Sequence, residues 1–518
     1  MSTSLTDPSC LTIPLSRYPG MNRFVLDWLA GSPRATTFLP RASGAPAPSP
    51  ARNVPPALIE SLIESNRRWG SSIADHLRRW NSGGTVAIVS GQQVGVAGGP
   101  LYTLAKLTSA IKWKRQLAES GVPATIFFWL ATEDHDYSEA ATVHVPVNAI
   151  DPNRDVNRQL DLITIRPSRL ADSRSAVGPL PVPENVVQEM LSLFNIPRPA
   201  WLRQGISFTD SFAELLTTAF AGEPIVFVDS LLPELRRAAT PLFENLMSRW
   251  SDVQRAIAAR SSSLRSAGYE PQIVPREGEA YTLLFRLDPS WIRHVVDHPQ
   301  AVGDPATLST SAITRPVLQD FILRPDVFIG GPAEVSYYAQ IAPLHELLGV
   351  AMPRVALRGH VLVAPRRTLR AAVRYGIDPQ DAFRPVDQIL AEREAEGVAQ
   401  VKAIAERARR NLGEEITRIG EIALPAEHSL ARAINRSIGH IEYHFNKLTE
   451  RAIRGLARKD RERFAVVKEL VSTLHPDGHV QDRVVNWFAL WMRYGDALLP
   501  GVIDAVQPDD GSFRIVGL

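Results

Sequence analysis

The chain has 518 residues, of which 45% are hydrophobic and 22% charged, and its 57 Lys and Arg against 55 Asp and Glu leave a formal net charge of +2. This is the composition of a globular protein, and the length asks for two or three packed units rather than a single core. The even charge balance gives no electrostatic footprint for nucleic acid or an anionic membrane. The single cysteine, Cys10, excludes an intrachain disulfide and a thiolate zinc cluster.

The N-terminal stretch MSTSLTDPSCLTIPLSRYPG lacks the basic and apolar regions of an export signal, and the longest strongly apolar run, Ile126 to Ala131, is too short to cross a bilayer. A cytoplasmic protein is expected. Residues 39–56 hold six prolines among small residues and read as a linker or surface wrap. Ala57 to Trp80 has helical periodicity through Leu58, Leu62, Trp69, Ile73 and Leu77. Thr85 to Val89 predicts a buried strand, Ser90 to Gly99 a loop with four glycines, Leu101 to Glu119 a helix, and Ala124 to Ala131 a second buried strand. This is a strand-helix-strand unit of the parallel α/β type. Pro224 to Asp229 adds a strand, with a long helix from Leu232 onward. A second strand-helix-strand unit runs from Asp326 to Ile329, through a helix opened by Pro332, to a strand at Pro353 to Leu357. Both units put Gly-Gly-Pro at the strand-to-helix junction, and together they predict a doubly wound core interrupted by inserted subdomains.

Between Val386 and Ile419 the apolar residues Val398, Val401, Ala405, Ala408, Leu412, Ile416 and Ile419 step by three and four. Beyond a turn near Gly420 to Pro425, Ile434, Ile438, Ile441, Phe445, Leu448 and Ala452 repeat the pattern. Two such arms predict a long antiparallel helical hairpin, with dimerisation as its expected use. The tail from Pro476 is expected to return to the core.

The residues suited to chemistry cluster at the strand ends. In SGQQVGVAGGP the loop residues Ser90, Gly91, Gln92, Gln93, Gly98 and Gly99 let the backbone approach a ligand, and the helix after Pro100 aims N–H groups at the same place. That suits a phosphate or carboxylate, although tight turns and close helix packing use the same glycines. The spacing is neither G-x-G-x-x-G nor a P-loop. After the second strand, Glu133-Asp134-His135-Asp136 falls on the sheet edge where open α/β folds bind ligands. Asp134 and Asp136 could hold an ammonium group or a metal ion and His135 could move a proton, or the four could form a solvated turn that caps the next helix. Glu334 and Tyr337 sit in the first turns of the helix begun by Gly330-Gly331-Pro332, with Arg315 upstream in TRPVLQD. Near the C-terminus, Gln481, Arg483 and Asn486 recur within one or two turns. His440 and His444 have the spacing of a helical metal pair but lack a third ligand, so no metal site is expected there.

Five ordered blocks, SGQQVGVAGGPLYTLAK, FFWLATEDHDYSE, TRPVLQD, FIGGPAEVSYYAQI and VQDRVVNWF, resemble the bacillithiol biosynthesis cysteine-adding enzymes, or cysteine ligases, over nearly the whole chain. The resemblance implies a Rossmann-like doubly wound α/β core of the class I synthetase type, with inserted connecting subdomains and an antiparallel α-helical coiled coil that dimerises. The expected partition is an N-terminal arm and Pro-rich linker (1–56), the first core half (57–148), a connecting subdomain (149–223), the second core half with a smaller insertion (224–384), the coiled-coil hairpin (385–472) and a returning C-terminal segment (473–518). Three positions depart from the family pattern: Ser90 replaces a common threonine, Thr310 and Ser311 replace a frequent Pro-Asn pair, and HPDGHVQDR replaces P-N-G-L-Q-E-R.

The implied reaction joins cysteine to glucosaminyl-malate, the last step in making the thiol bacillithiol. Amide formation needs an activated carboxylate, so ATP with Mg2+ is expected from the reaction type. The resemblance assigns phosphate or carboxylate binding to the Ser90–Gly99 loop and orientation or deprotonation of the amine to His135. Cysteine's ammonium or magnesium falls to Asp134 and Asp136, and substrate binding to Tyr102, Thr103, Arg315, Gly330, Gly331, Glu334, Tyr337, Arg483 and Asn486. The alternative is a non-catalytic nucleotide or metabolite sensor that signals through its coiled coil.

Overall fold

The computed structural model describes residues 10–42, 44–150, 161–275, 279–299, 304–423 and 430–518. Its main elements, in chain order, are β1 (Cys10–Pro14), β2 (Val86–Gln92), α1 (Leu101–Glu119), β3 (Ala124–Leu130), β4 (Ile225–Asp229), β5 (Leu284–Leu287), β6 (Arg293–Val296), β7 (Leu308–Thr310) and α2 (Arg315–Leu323). There follow β8 (Val327–Gly330), α3 (Pro332–Leu348), β9 (Arg354–Leu357), β10 (His360–Ala364), α4 (Val386–Ala423), α5 (Leu430–Leu474) and β11 (Ser512–Gly517). They make two compact units, one holding Ser9–Ala364 with Pro476–Leu518, the other Pro365–His475.

A five-stranded parallel sheet in the order β9-β8-β2-β3-β4 is the centre of the first unit. The chain moves outward from β2 through β3 to β4 and then returns to the other side of β2 with β8 and β9. Strand order therefore reverses between β2 and β8, the doubly wound arrangement expected from the sequence. Helices cover a parallel sheet on both faces, which is why β3 reads ATIFFWL and buries every residue after the first. The helices α1 and α3 have the bounds that their periodicity predicts, and Gly349, at φ +67, ends α3 in the left-handed conformation.

Three expectations change. The second half of β2 reads locally as loop, but Ser90, Gly91 and Gln92 pair in register with Phe128, Trp129 and Leu130. Gly91 fits there because a Cβ would lie 2.7 Å from the Trp129 carbonyl oxygen. The helix expected over Ala57–Trp80 is two, Pro56–Arg68 and Ala74–Ser82, parted at Gly70 with φ +88. The long helix after Leu232 is three, Pro233–Ala238, Thr240–Ser248 and Trp250–Ser266, the second carrying a proline in its first turn.

Two smaller sheets flank the core of this unit. Strands β6, β5 and β7 form an antiparallel sheet with β5 in the middle. In the other, β11 pairs antiparallel with β1 and parallel with β10. The proline-rich stretch is pinned by the buried Arg52, whose guanidinium meets Asp326 at 2.8 Å.

In the second unit α4 and α5 are 38 and 45 residues long, about 57 and 68 Å. Ala405 is buried in their seam, while Val401, Ala408, Leu412, Ile416, Ile434, Ile438 and Phe445 are half-buried. Ile419, Ile441, Leu448 and Ala452, expected in the same seam, are exposed. A pair of helices covers only one narrow stripe of each, so an apolar pattern wider than that stripe faces outward. Gly420 belongs to α4 rather than to the turn. The side chain of Val398 and the rest of the turn, Leu424 and Pro425, lie outside the described residues. No helix among the described residues is long and apolar enough to cross a membrane.

Candidate active site

The carboxyl ends of β2 and β8 lie side by side at the reversal of strand order and open on a cavity of about 240 Å³. Gly91, Gln92 and Gln93 reach it from β2, Tyr102 and Lys106 from α1, and Asp134 from the turn after β3. Arg315 enters from the start of α2, Gly331 and Glu334 from the start of α3, Arg358 and His360 from beyond β9, and Asp482 and Arg483 from the C-terminal segment. Each of the five sequence blocks contributes to this one space.

Lys106 was not anticipated. Only 4% exposed, it pairs with Glu334 Oε2 at 2.5 Å and donates to the Gly91 carbonyl at 2.8 Å and to Gln92 Oε1 at 3.0 Å. Burial pulls its ammonium below the ordinary lysine value, and Glu334 opposes that pull. The same Glu334 oxygen accepts the Gly331 N–H at 2.7 Å, so one carboxylate caps α3 and neutralises the lysine. The signal in the sequence was a lone lysine in an otherwise apolar stretch, with Leu104, Ala105 and Leu107 beside it.

Arg358, likewise unforeseen, sits just past the end of β9 and pairs with the buried Asp482 at 2.9 Å. Asp482 thereby brings the neighbouring Arg483 to the rim. Arg315 donates to the Tyr337 hydroxyl at 3.2 Å. Burial, with Glu334 nearby, pushes the Tyr337 phenol well above its usual range, so it stays protonated.

The Glu-Asp-His-Asp turn divides its labour. Glu133 is buried and accepts from the Ser309 hydroxyl at 2.7 Å, from the Thr310 N–H at 3.2 Å, from the Thr310 hydroxyl, and from Arg236 at 3.3 Å, which commits it to anchoring β7. Asp134 Oδ1 accepts the backbone N–H of His135 at 2.7 Å. Burial pushes the Asp134 carboxyl up, but its contacts with His135 and the charge of Arg315 outweigh this and hold it below the ordinary carboxylate value. Its Oδ2 has no hydrogen bond among the described residues.

His135 faces a second cavity of about 520 Å³ that shares Ala131, Asp134 and Arg315 with the first. Its Nδ1 lies 3.0 Å from Arg293 Nη1. The same Nδ1 stands 3.4 Å from Asp134 Oδ1. A guanidinium can only donate, so the Arg293 contact is a hydrogen bond in the tautomer that carries its proton on Nε2. In that tautomer His135 can donate to a substrate atom, which suits orientation rather than deprotonation of an amine. Asp136 points elsewhere: it caps the helix Tyr137–Ala141 by accepting the Glu139 N–H at 2.8 Å, and with Gly99 and Asn486 it lines a third cavity of about 440 Å³.

Other anticipated residues serve packing. The Ser90 hydroxyl is buried and donates to the Ile329 carbonyl at 2.7 Å, stitching β2 to β8. Gly98 lies under Trp487, whose Nε1 donates to its carbonyl at 3.0 Å, and the Trp487 N–H reaches the Gly99 carbonyl at 3.2 Å. The first N–H of α1, from Leu101, is taken by the Val485 carbonyl at 2.8 Å, and that of Thr103 by Pro100 at 2.9 Å. The Leu101 and Thr103 N–H groups are therefore taken within the protein, the first of them by the C-terminal segment, which narrows the expectation of free N–H groups at the start of α1. Asn486 is buried, donating to the Val96 carbonyl at 3.0 Å and accepting from the Phe488 N–H at 3.0 Å. Gly330 makes room for Glu334, whose Cβ would be 2.8 Å from a Cβ at that position. Because Asp134 and Asp136 face different cavities, they do not form a magnesium cage, and no cluster of three His, Cys, Asp or Glu among the described residues is arranged to hold a metal.

Residues 48–359 match the N-terminal Rossmann-like domain of bacillithiol biosynthesis BshC, and residues 361–518 match its C-terminal coiled-coil domain. The chain belongs to the bacillithiol biosynthesis BshC family. Relatives that carry the name "Putative cysteine ligase BshC" include proteins from Koribacter versatilis and Solibacter usitatus. The one from Koribacter versatilis is 28% identical over 537 residues, covering 96% of this chain and 97% of that protein. The one from Solibacter usitatus is 28% identical over 465 residues, covering 85% of this chain and 86% of that protein. Among solved structures, Mycobacterium tuberculosis methionyl-tRNA synthetase in complex with methionyl-adenylate is 8% identical with a TM-score of 0.29, covering 81% of this chain and 94% of that one. A likeness that weak carries no functional information about the BshC family.

Proposed function

We propose that this chain is a cysteine ligase that forms an amide between the carboxyl group of cysteine and the amine of glucosaminyl-malate, completing bacillithiol. One observation carries the reading: all five blocks that resemble the cysteine ligases supply side chains or backbone to one cavity at the strand-order reversal. Family membership and the names of the relatives point the same way.

A carboxylate does not condense with an amine unaided, so the reading requires ATP to convert it to an acyl phosphate or acyl adenylate. The amine then attacks the acyl carbon, phosphate or AMP leaves, and one amine proton must be taken up. Lys106 and Arg358, each already paired with a carboxylate, add N–H donors to the cavity wall that are suited to the negative charge that develops on the acyl oxygen and the leaving group. Asp134, kept ionised and with Oδ2 open, is suited to holding the acceptor's ammonium group and taking the proton that it loses before the free amine attacks. His135 serves as an Nε2–H donor beside it. Magnesium, where needed, would arrive with the nucleotide, since Asp134 and Asp136 are not placed to share an ion. On the same reading the enzyme works in the cytosol, and the outward apolar face of the helical hairpin is where two copies join.

The deciding experiment is incubation of the purified protein with cysteine, glucosaminyl-malate, ATP and magnesium while the product mass is followed. Asp134→Asn is expected to lower kcat by about a hundredfold or more, as loss of a catalytic base does. Turnover surviving intact in Asp134→Asn removes that residue's role, and absence of product with any nucleotide removes the ligase.

A further inference from the structure

The second cavity is lined by a buried cation that has no ion-pair partner among the described residues. Arg293 is 7% exposed and lines this space between the turn after β3 and the β5-β6-β7 sheet. Its Nη2 donates to the Thr310 carbonyl at 2.8 Å, its Nη1 faces His135, its Nε has no hydrogen-bond partner among the described residues, and its guanidinium carbon stands 3.8 Å from the centre of the Phe285 ring. No carboxylate among the described residues forms an ion pair with it. Arg315, half-buried on the wall shared with the first cavity, donates its one hydrogen bond among the described residues to the neutral Tyr337 hydroxyl and has no carboxylate within ion-pair distance there, although the charges of Glu334 and Asp134 act on it.

The acids that line the same cavity act on these arginines from beyond ion-pair distance. Glu133 is saturated by Arg236, Ser309 and Thr310, Asp134 Oδ1 is held by backbone N–H groups, and Glu279 stands on the exposed rim. Burying a guanidinium without an ion-pair partner is costly, and a site that sets a second, half-buried guanidinium beside it suits a ligand that supplies two negative groups. Between them the walls are apolar, through Tyr281, Phe285 and Ile313, which suits a short carbon skeleton.

We propose that this second cavity is a dicarboxylate subsite, with Arg293 and Arg315 each taking one acid group of the ligand. Resting on the ligase reading for the ligand's identity, the proposal places the malate half of the acceptor here. Its sugar amine then extends to Asp134, which both cavities share, and the activated cysteine occupies the first cavity.

The test is direct calorimetric titration of the full-length protein with L-malate and with lactate, which keeps the hydroxy acid but lacks the second carboxylate. Malate is expected to bind at least about tenfold tighter than lactate, and Arg293→Gln and Arg315→Gln are each expected to weaken malate about tenfold or more. Arg483→Gln, at a residue that lines the first and third cavities but not the second, is expected to leave malate binding unchanged. Equal binding of malate and lactate, no binding at millimolar malate, unchanged malate affinity in a folded Arg293→Gln or Arg315→Gln variant, or an equal loss in Arg483→Gln overturns the proposal. If Arg293→Gln does not fold, Arg315→Gln and a malate-soaked crystal decide, density away from both arginines counting against it. Because malate binding is read without turnover, a protein that binds malate through these arginines and makes no product keeps the subsite and loses the ligase reading. A protein that makes product while its malate binding ignores both substitutions does the reverse.

Discussion

Trp487 and Gly98 are locked face to face: the indole Nε1 donates to the Gly98 carbonyl at 3.0 Å, and a Cβ at Gly98 would stand 2.2 Å from that same nitrogen. Gly98 also sits at φ +81, a backbone state that costs an L-residue about 1 kcal/mol. Gly98→Ala therefore combines that strain with an overpacking penalty of about 1–3 kcal/mol. Gly84, at φ +83 with nothing within 4 Å of where a methyl would stand, is the matched control. Thermal unfolding is expected to show Gly84→Ala losing about 1 kcal/mol and Gly98→Ala clearly more.

That contact also explains how far the sequence could be read. The strands and helices of the two Gly-Gly-Pro units were legible because apolar runs and helical periodicity are local signals. The purpose of their glycines was not. Gly98 answers to Trp487, almost four hundred residues away by number, and the Leu101 N–H answers to Val485, so a loop that locally resembles an anion cradle is partly closed by a distant segment. Lys106 and Arg358 were missed for the same reason: their partners Glu334 and Asp482 become neighbours only when the sheet forms. Residues at the strand ends, Gly91, Asp134, Gly331 and Glu334, were legible because the strand-end rule needs only the strands to be right.

The Lys106–Glu334 pair predicts a strongly non-additive mutant cycle. Removing one member of a buried pair strands the other charge, a loss of about 3–5 kcal/mol. Glu334 keeps some solvent contact and the Gly331 N–H, so Lys106→Met is expected at the lower end of that range. Lys106→Met with Glu334→Gln leaves neither charge stranded and is expected to be more stable than the sum of the single losses by at least about 1 kcal/mol. Urea unfolding of the four proteins measures the coupling, and additive losses would refute it.

His360 predicts a pH dependence of stability. Burial, helped by Arg358 and Arg483, pushes its folded-state pKa well below the ordinary value of 6.5. The unfolded chain therefore takes up a proton at His360 below pH 6.5 while the folded chain does not. Stability rises with pH where the unfolded state binds more protons, so this residue's contribution is present above the unfolded value and is lost as pH falls beneath it. The slope it supplies approaches about 1.4 kcal/mol per pH unit. Denaturant unfolding across that range is expected to show His360→Asn with a shallower acid-side slope than the parent; identical slopes would contradict the assignment.

The hairpin predicts an assembly state. Ile441 and Leu448, one heptad apart on α5, are 41% and 64% exposed, and Ile404 and Ile419 on α4 are 56% and 57% exposed. Apolar side chains at heptad spacing are poorly placed facing water and are the usual seam of a helical partner. A second copy of the same hairpin supplies a matching stripe by symmetry, because a twofold contact uses one patch twice. Ile441→Glu combined with Leu448→Glu puts like charges into that seam on both copies while leaving the buried Ala405 contact within each hairpin untouched. Sedimentation velocity is expected to give a dimer for the parent and a monomer for the double variant at unchanged helix content. A parent that sediments as a monomer at micromolar concentration rules the interface out.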